Sequence, residues 1–305
     1  MIDFVGKKQW FFLVSAIAIL VAIISLAVFK LQPGVDFVGG TSITFQFSSP
    51  VERSRLQQEM ANLGYGKATI RNAEGDFIVH FKEMPPEKGE KLAQELGEKL
   101  GCEVKMTNPY SASPVVGLET ARNAGIAVIV AAIAMLFYIV WAFRRMPKPF
   151  RWGTCAIIAL VHDVLIIIGI FSILGWLAGV EVDALFITGL LAVVGYSINN
   201  TVVIFDRVRE NVSKHISPDF AVTVNSSIVE TLGRSLNTSL TTLFVLLALL
   251  LFGGATIHYF VLVLLLGVII GTYSSICISS QLLVTWEKGE WGKLFSWLPS
   301  AKKPA

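Results

Sequence analysis

Apolar runs and polar breaks alternate along the chain, and only one of the breaks is long. The runs cover approximately residues 10–29, 124–143, 154–178, 184–205, 236–253 and 258–284. Each is close to the length of about 20 residues that carries a helix across a hydrocarbon layer of roughly 30 Å. The pattern therefore predicts six transmembrane helices. The first run follows Lys7 and Lys8 and is longer than a usual signal-peptide core. Its exit, Phe29-Lys30-Leu31-Gln32-Pro33, lacks a small-x-small cleavage pattern, so it reads as an uncleaved span.

The long break, residues 30–120, has the patterning of a folded domain and its linkers. Thr41–Phe47 alternates as a strand. Val51–Leu63 has helical spacing after Pro50. Lys67–Arg71 and Asp76–Lys82 read as strands around the turn Asn72-Ala73-Glu74-Gly75. Pro86–Leu100 is an amphipathic helix ended by Gly101, and Cys102–Thr107 is a last strand. The order βαββαβ predicts a small ferredoxin-like α+β sandwich. Such a domain could touch a substrate or partner, or could serve as a passive spacer.

Composition agrees with a membrane protein. Of 305 residues 54% are hydrophobic and 15% charged, against about 25% charged in soluble domains. The net charge of +3 is spread beside the spans and forms no nucleic-acid patch. Cys102, Cys155 and Cys277 make neither a disulfide framework nor a metal spacing. No metal cluster, phosphate loop or nucleophile–base set is visible, which makes an enzyme a weak reading.

Positive charge sets the orientation. Lys7 and Lys8 precede span one. Arg144, Arg145, Lys148 and Arg151 join spans two and three. Arg207, Arg209, Lys214 and Arg234 lie between spans four and five, and Lys288, Lys293, Lys302 and Lys303 follow span six. The connections 179–183 and 254–257 hold no Lys or Arg. Both termini are thus expected in the cytoplasm: residues 1–9 as an N-terminal segment and 287–305 as a tail. Residues 121–286 carry spans two to six with a cytoplasmic loop at 206–234, and residues 30–120 are extracytoplasmic.

The apolar runs hold a few polar residues that need a reason to be there. His162 and Asp163 lie about 10 residues into span three, roughly 15 Å deep, and an acid at that depth marks an ion path or a static pair. In span four, Tyr196, Asn200, Val203 and Arg207 share one helical stripe; Asn199 and Asp206 share the adjoining one. In span five, Arg234, Asn237 and Thr241 lie on one face, which is expected to meet span four. His162, Asp163, Asn199, Asn200, Arg234, Asn237 and Thr241 then form one polar layer. That layer suits an ion-coupled switch, and equally a polar zipper between helices.

These residues resemble those of the SecD/SecF family, membrane subunits of the bacterial protein-export translocase, and its smaller SecF-type members in particular. Gly34-Val-Asp36-Phe37-Val-Gly39-Gly40-Thr41 is similar to the family's GxDFxGG-T motif. His162-Asp163, Gly195–Asn211, Arg234–Thr242, Phe252-Gly253-Gly254 and Gly267–Ser275 are similar to its later signatures in the same order. The resemblance implies an RND-type half fold, with six of twelve spans here and the rest in a SecD-like subunit. It implies use of the proton-motive force to promote late steps of preprotein translocation; a sodium gradient stays open as the alternative. It also implies the SecYEG channel, YajC and YidC-like proteins as partners, a bacterial inner-membrane location, no further cofactor and no nucleic acid. The ion-coupling residues it points to are His162, Asp163, Asn199, Asn200, Asp206, Arg207, Arg234, Asn237 and Thr241. One position departs from the pattern: the family places an aspartate, the proposed proton carrier, where this chain has Asn200. An amide cannot release a proton. Two other readings stay open: an RND-class transporter of lipid or small molecules, and an assembly subunit without ion flux of its own.

Overall fold

Apolar sequence favours helices wherever water is excluded, because only intrachain bonds then satisfy the backbone. The computed structural model, which describes residues 2–73, 76–82, 84–85, 87–254 and 256–291, follows that rule. In chain order its elements are α1 (Lys8–Phe29), α2 (Val35–Val38), β1 (Gly40–Phe47), α3 (Arg53–Asn62), β2 (Thr69–Ala73), β3 (Asp76–Phe81), α4 (Lys88–Leu100) and β4 (Val104–Ala112), followed by α5 (Pro114–Ala142), α6 (Pro149–Ala178), α7 (Ala184–Ser213), α8 (Phe220–Phe252), α9 (His258–Ser274) and α10 (Ser280–Lys288). A π-helical turn, Ser275–Ser279, joins α9 to α10, so the last span is one helix with an internal irregularity. Among the described residues six helices are long and apolar enough to cross a membrane: α1, α5, α6, α7, α8 and the composite α9–α10.

The helices are longer than their apolar runs, because capping residues rather than hydropathy end them. Pro149 opens α6 and Gly179, with φ 68°, closes it. The Asp183 carboxylate accepts Phe186 N–H at 2.8 Å and starts α7; Asp219 accepts Ala221 N–H at 2.9 Å and starts α8. This corrects the expected loop at 206–234. Most of it is helix, the end of α7 and the start of α8, joined by residues 214–219.

The centre of the bundle is α6, α7 and α9–α10, while α1, α5 and α8 lie at its periphery with most of their apolar residues uncovered. Close approach depends on small residues. A Cβ on Gly169 of α6 would lie 2.5 Å from Ala22 Cα of α1, and one on Gly267 of α9 would run into Val193 of α7.

Residues 40–112 fold as a four-stranded antiparallel sheet in the order β2-β3-β1-β4. This is the expected ferredoxin-like α+β sandwich. Ile43, Phe45, Phe77, Val79 and Phe81 on one face pack against Leu56 and Met60 of α3 and Leu92 and Leu96 of α4. Ser42, Thr44 and His80 alternate onto the opposite face, which turns toward the membrane helices. Among the expected local features, Glu74 and Gly75 of the first turn, Pro86 and the tail lysines Lys293, Lys302 and Lys303 lie outside the described residues.

The junction between sheet and bundle explains the first glycine motif. Gly34 N–H donates to Val182 O and Val182 N–H to Gln32 O, both at 2.7 Å. Asp36 accepts Ala184 N–H at 2.8 Å, adding a second carboxylate to the start of α7. Phe37 is buried with Ile167, Phe171, Val180 and Phe186. Gly39 and Gly40 have φ of 76° and 120°; a Cβ on Gly39 would lie 2.6 Å from Pro114 N, and one on Gly40 would meet Phe81 O. Both positions require glycine.

Candidate ion-coupling site in the membrane helices

Asp163 sits at the middle of α6, a 30-residue helix, and is fully buried. Its carboxylate joins three helices. Ser197 Oγ of α7 donates to Oδ2 at 2.6 Å, and Ser274 Oγ at the end of α9 donates to the same oxygen at 2.7 Å. His162 Nδ1 lies 2.9 Å from Oδ1. The His162 ring stacks on Tyr273, centroids 6.4 Å apart, and its Nε2 is buried without a hydrogen-bond partner among the described residues. Tyr273 OH donates to Phe11 O of α1 at 3.0 Å, so α1 also reaches the site.

Asn200 lies one turn further along α7 and is also buried. Its hydrogen bond goes elsewhere than to Asp163. Its Nδ2 donates to Thr272 Oγ1 at 3.3 Å, and Ser239 of α8 shares a 2.6 Å bond with the same hydroxyl. Tyr196 OH donates to Ser239 Oγ at 3.0 Å. The two clusters are therefore neighbours on α7 and α9, one centred on a carboxylate and one wholly neutral.

The single polar layer expected from the sequence is thus corrected. His162, Asp163 and Asn200 point into the bundle. Asn199 is exposed, and so are Arg234, Asn237 and Thr241 on the outer face of α8. The reason is the helical period: Ser235 and Ser239, four apart, take the inward face, which turns Arg234, Asn237, Thr238 and Thr241 outward. Asp206 and Arg207 belong to the far end of α7. Asp206 pairs with Arg209, and Arg207 pairs with Glu210 at 2.6 Å and with Glu230 of α8. The contributions of Ser197, Ser239, Thr272 and Ser274 were missed as site residues. The signal for Thr272 and Ser274 was the density of hydroxyls in the last span, Thr272, Ser274, Ser275, Ser279 and Ser280, in otherwise apolar sequence. The π-helical turn begins immediately after Ser274, and such turns often accompany functional sites.

A carboxylate at mid-span, held by two hydroxyls and a histidine, can exchange a proton or hold a small cation, and few other chemistries fit it. Among the described residues no three His, Cys, Asp or Glu side chains form a metal-binding group.

The family described as "Protein export membrane protein SecD/SecF, C-terminal" matches residues 92–289, and the "SecD/SecF GG Motif" matches residues 24–51. The chain belongs to the SecD/SecF family. Within it, the protein translocase subunit SecF of Thermobaculum terrenum is 43% identical over 97% of both chains. The SecF of Anaerolinea thermophila is 40% identical, covering 100% of this chain and 99% of its own. The solved SecDF of Thermus thermophilus, a translocon-associated membrane protein, superposes with a TM-score of 0.85 at 32% identity. That match covers 94% of this chain and 39% of the longer SecDF chain. A SecDF structure in a super-membrane-facing form gives a TM-score of 0.68 at the same identity, covering 97% and 40%. The family assignment fits the local geometry: the glycine motif forms the sheet–bundle junction, and the later signatures supply Asp163, Asn200, Ser239, Thr272 and Ser274.

Proposed function

We propose that the chain works as a SecF-type subunit of a protein translocase, in which Asp163 carries the coupling ion. The ion is a proton, and its gradient promotes late steps of preprotein translocation through a SecYEG-type channel. The observation that carries this reading is the Asp163 carboxylate, fully buried at mid-span and bonded from α7 and α9. A change of its charge alters hydrogen bonds to two other helices at once, which is what an ion-driven conformational step requires. Asn200 keeps the shape of the family's carboxyl group without its proton and serves to align α7 with Thr272.

A SecD-like subunit is the proposed partner. Arg234, Asn237, Thr238 and Thr241 form a polar stripe on the outer face of α8, and a cation in lipid is costly unless paired. A neighbouring helix bearing a carboxylate would satisfy it. The SecDF relative in Bacillus subtilis, of which this chain matches 38% at 34% identity, supports a partner supplied within one assembly. In the proposed orientation both termini face the cytoplasm and the sheet domain lies outside a bacterial inner membrane. Lys7, Lys8, Arg144, Arg145, Lys148, Arg151 and Lys214 all flank the helix ends opposite the sheet.

The test is co-expression with a SecD-like subunit, purification through a tag on this chain, and gradient-dependent export of a preprotein into inverted membrane vesicles. Recovery of the pair and loss of export in the Asp163→Asn variant support the reading. Recovery of this chain alone, or export that ignores the gradient, overturns it.

A further inference from the structure

The sheet domain touches the bundle through more than its covalent links. The connection between α6 and α7 carries Glu181, which is buried. Its carboxylate lies 2.8 Å from His80 Nδ1 of β3 and 3.4 Å from Arg71 Nη1 of β2. The Arg71 guanidinium also sits 5.8 Å from the centre of the Tyr259 ring of α9. Two strands of the domain are thus held to the α6–α7 connection and to α9 by one cluster. Beside it lies a cavity of about 570 Å³ between the open face of the sheet and the bundle, lined by Ser42, Thr44, Tyr110, Asp183 and His258 among others. The contact is polar and an open cavity lies behind it, so the two surfaces do not fuse into one apolar core.

We propose that Glu181, His80 and Arg71 form a releasable latch, strengthened by acid, that holds the open face of the sheet against the α6–α7 connection. Protonated His80 meets Glu181 as an ion pair; neutral His80 meets it only through an ordinary hydrogen bond, which is roughly half as strong. Loss of the His80 proton therefore loosens the latch. The other charged and titratable groups around it are Asp36, Asp183, His258, Tyr259 and Tyr110 on the cavity side, and Arg53, Lys67 and Lys82 on the opposite side of His80. Asp36 and Asp183 are committed to backbone amides at the start of α7. Burial raises the Asp183 carboxyl although Arg71 lies near it; Glu181 is the carboxylate in direct contact with both His80 and Arg71. Asp36 and Val182 stay bonded across the junction when the latch opens, so release is a tilt of the sheet about residues 32–36. In the orientation proposed above, the latch faces the proton-rich side of the membrane. The latch itself rests on its own geometry and does not depend on that reading.

The experiment uses the full chain in detergent with a Thr44→Cys substitution in the cavity wall. A bulky maleimide reagent reports opening at that thiol. Native Cys102, half-buried at the distal end of the sheet domain, serves as the internal reference; Cys155 and Cys277 are buried. The labelling ratio of the two thiols is expected to rise roughly three- to tenfold between about pH 5.5 and about pH 8, the range of histidine titration. With Glu181→Gln added the ratio is high and flat with pH, and with His80→Gln it is flat. A flat ratio in the chain with the latch residues intact overturns the proposal even if either variant fails to fold. So does a pH response that survives His80→Gln.

Discussion

The most informative perturbation is a pair of substitutions at one position, Asp163→Asn and Asp163→Ala. Both remove the carboxylate, so the cost of burying a charge cancels between them. Asparagine keeps an oxygen where Ser197 and Ser274 donate, at 2.6 and 2.7 Å. Its amide can face His162 Nδ1, which accepts when the ring carries its proton on Nε2. Alanine leaves the Ser197 hydroxyl without its acceptor, whereas Ser274 still has Gly271 O at 3.3 Å. One buried hydroxyl left unpaired costs about 1–3 kcal/mol, and the void left by the lost group adds about 1 kcal/mol. The alanine variant should therefore be less stable than the asparagine variant by about 2–4 kcal/mol in a denaturant titration of the full chain in detergent. Export driven by the ion gradient should be lost in both. Equal stability of the two variants would refute the hydrogen-bonded geometry, and gradient-driven export by the stable Asp163→Asn variant would refute the role of the carboxylate.

Other expectations follow from the same structure. Gly169→Ala places a methyl group 2.5 Å from Ala22 Cα and must part α1 from α6; a stability loss of about 1–3 kcal/mol is expected in the same titration. Arg234→Ala should leave the stability of the isolated chain unchanged, because the side chain is exposed, and should reduce recovery of the SecD-like partner on purification. The bond from Lys288 and that from Ala221 N–H hold the Asp219 carboxyl below its usual value. Its contribution is therefore present above the ordinary aspartate range and disappears as the pH falls through the lowered value. The Tm difference between the native chain and Asp219→Asn should accordingly be measurable at neutral pH and vanish in strong acid; a difference that persists there would remove the Asp219–Lys288 pair as its cause.

Hydrophobic length made the six spans legible, and period-two alternation made the strands of the small domain legible, because both signals survive without knowledge of neighbours. The ends of the helices were not. Asp219 starts α8 well before its apolar run, and a capping aspartate in a polar stretch looks like any other loop residue. The site was half legible. Asp163 and His162 stand out because charge at mid-span is rare. Arg234 was misplaced because its own helix offers two polar faces, and only packing decides that Ser235 and Ser239 turn inward. The hydroxyls of α9 were quiet for a different reason: serine and threonine satisfy their own helix backbone, as Thr272 does with Val268 O, so their presence in a span carries little warning. The Glu181 latch was invisible, since its members lie about 100 residues apart in sequence.

The most direct test of the central claim is ion uptake by proteoliposomes that contain this chain with a SecD-like partner under an imposed proton gradient. The account predicts gradient-driven uptake that falls to the level of protein-free vesicles in Asp163→Asn, with the pair still assembled. Undiminished proton uptake by an assembled Asp163→Asn pair would contradict it and move the carrier to another carboxylate.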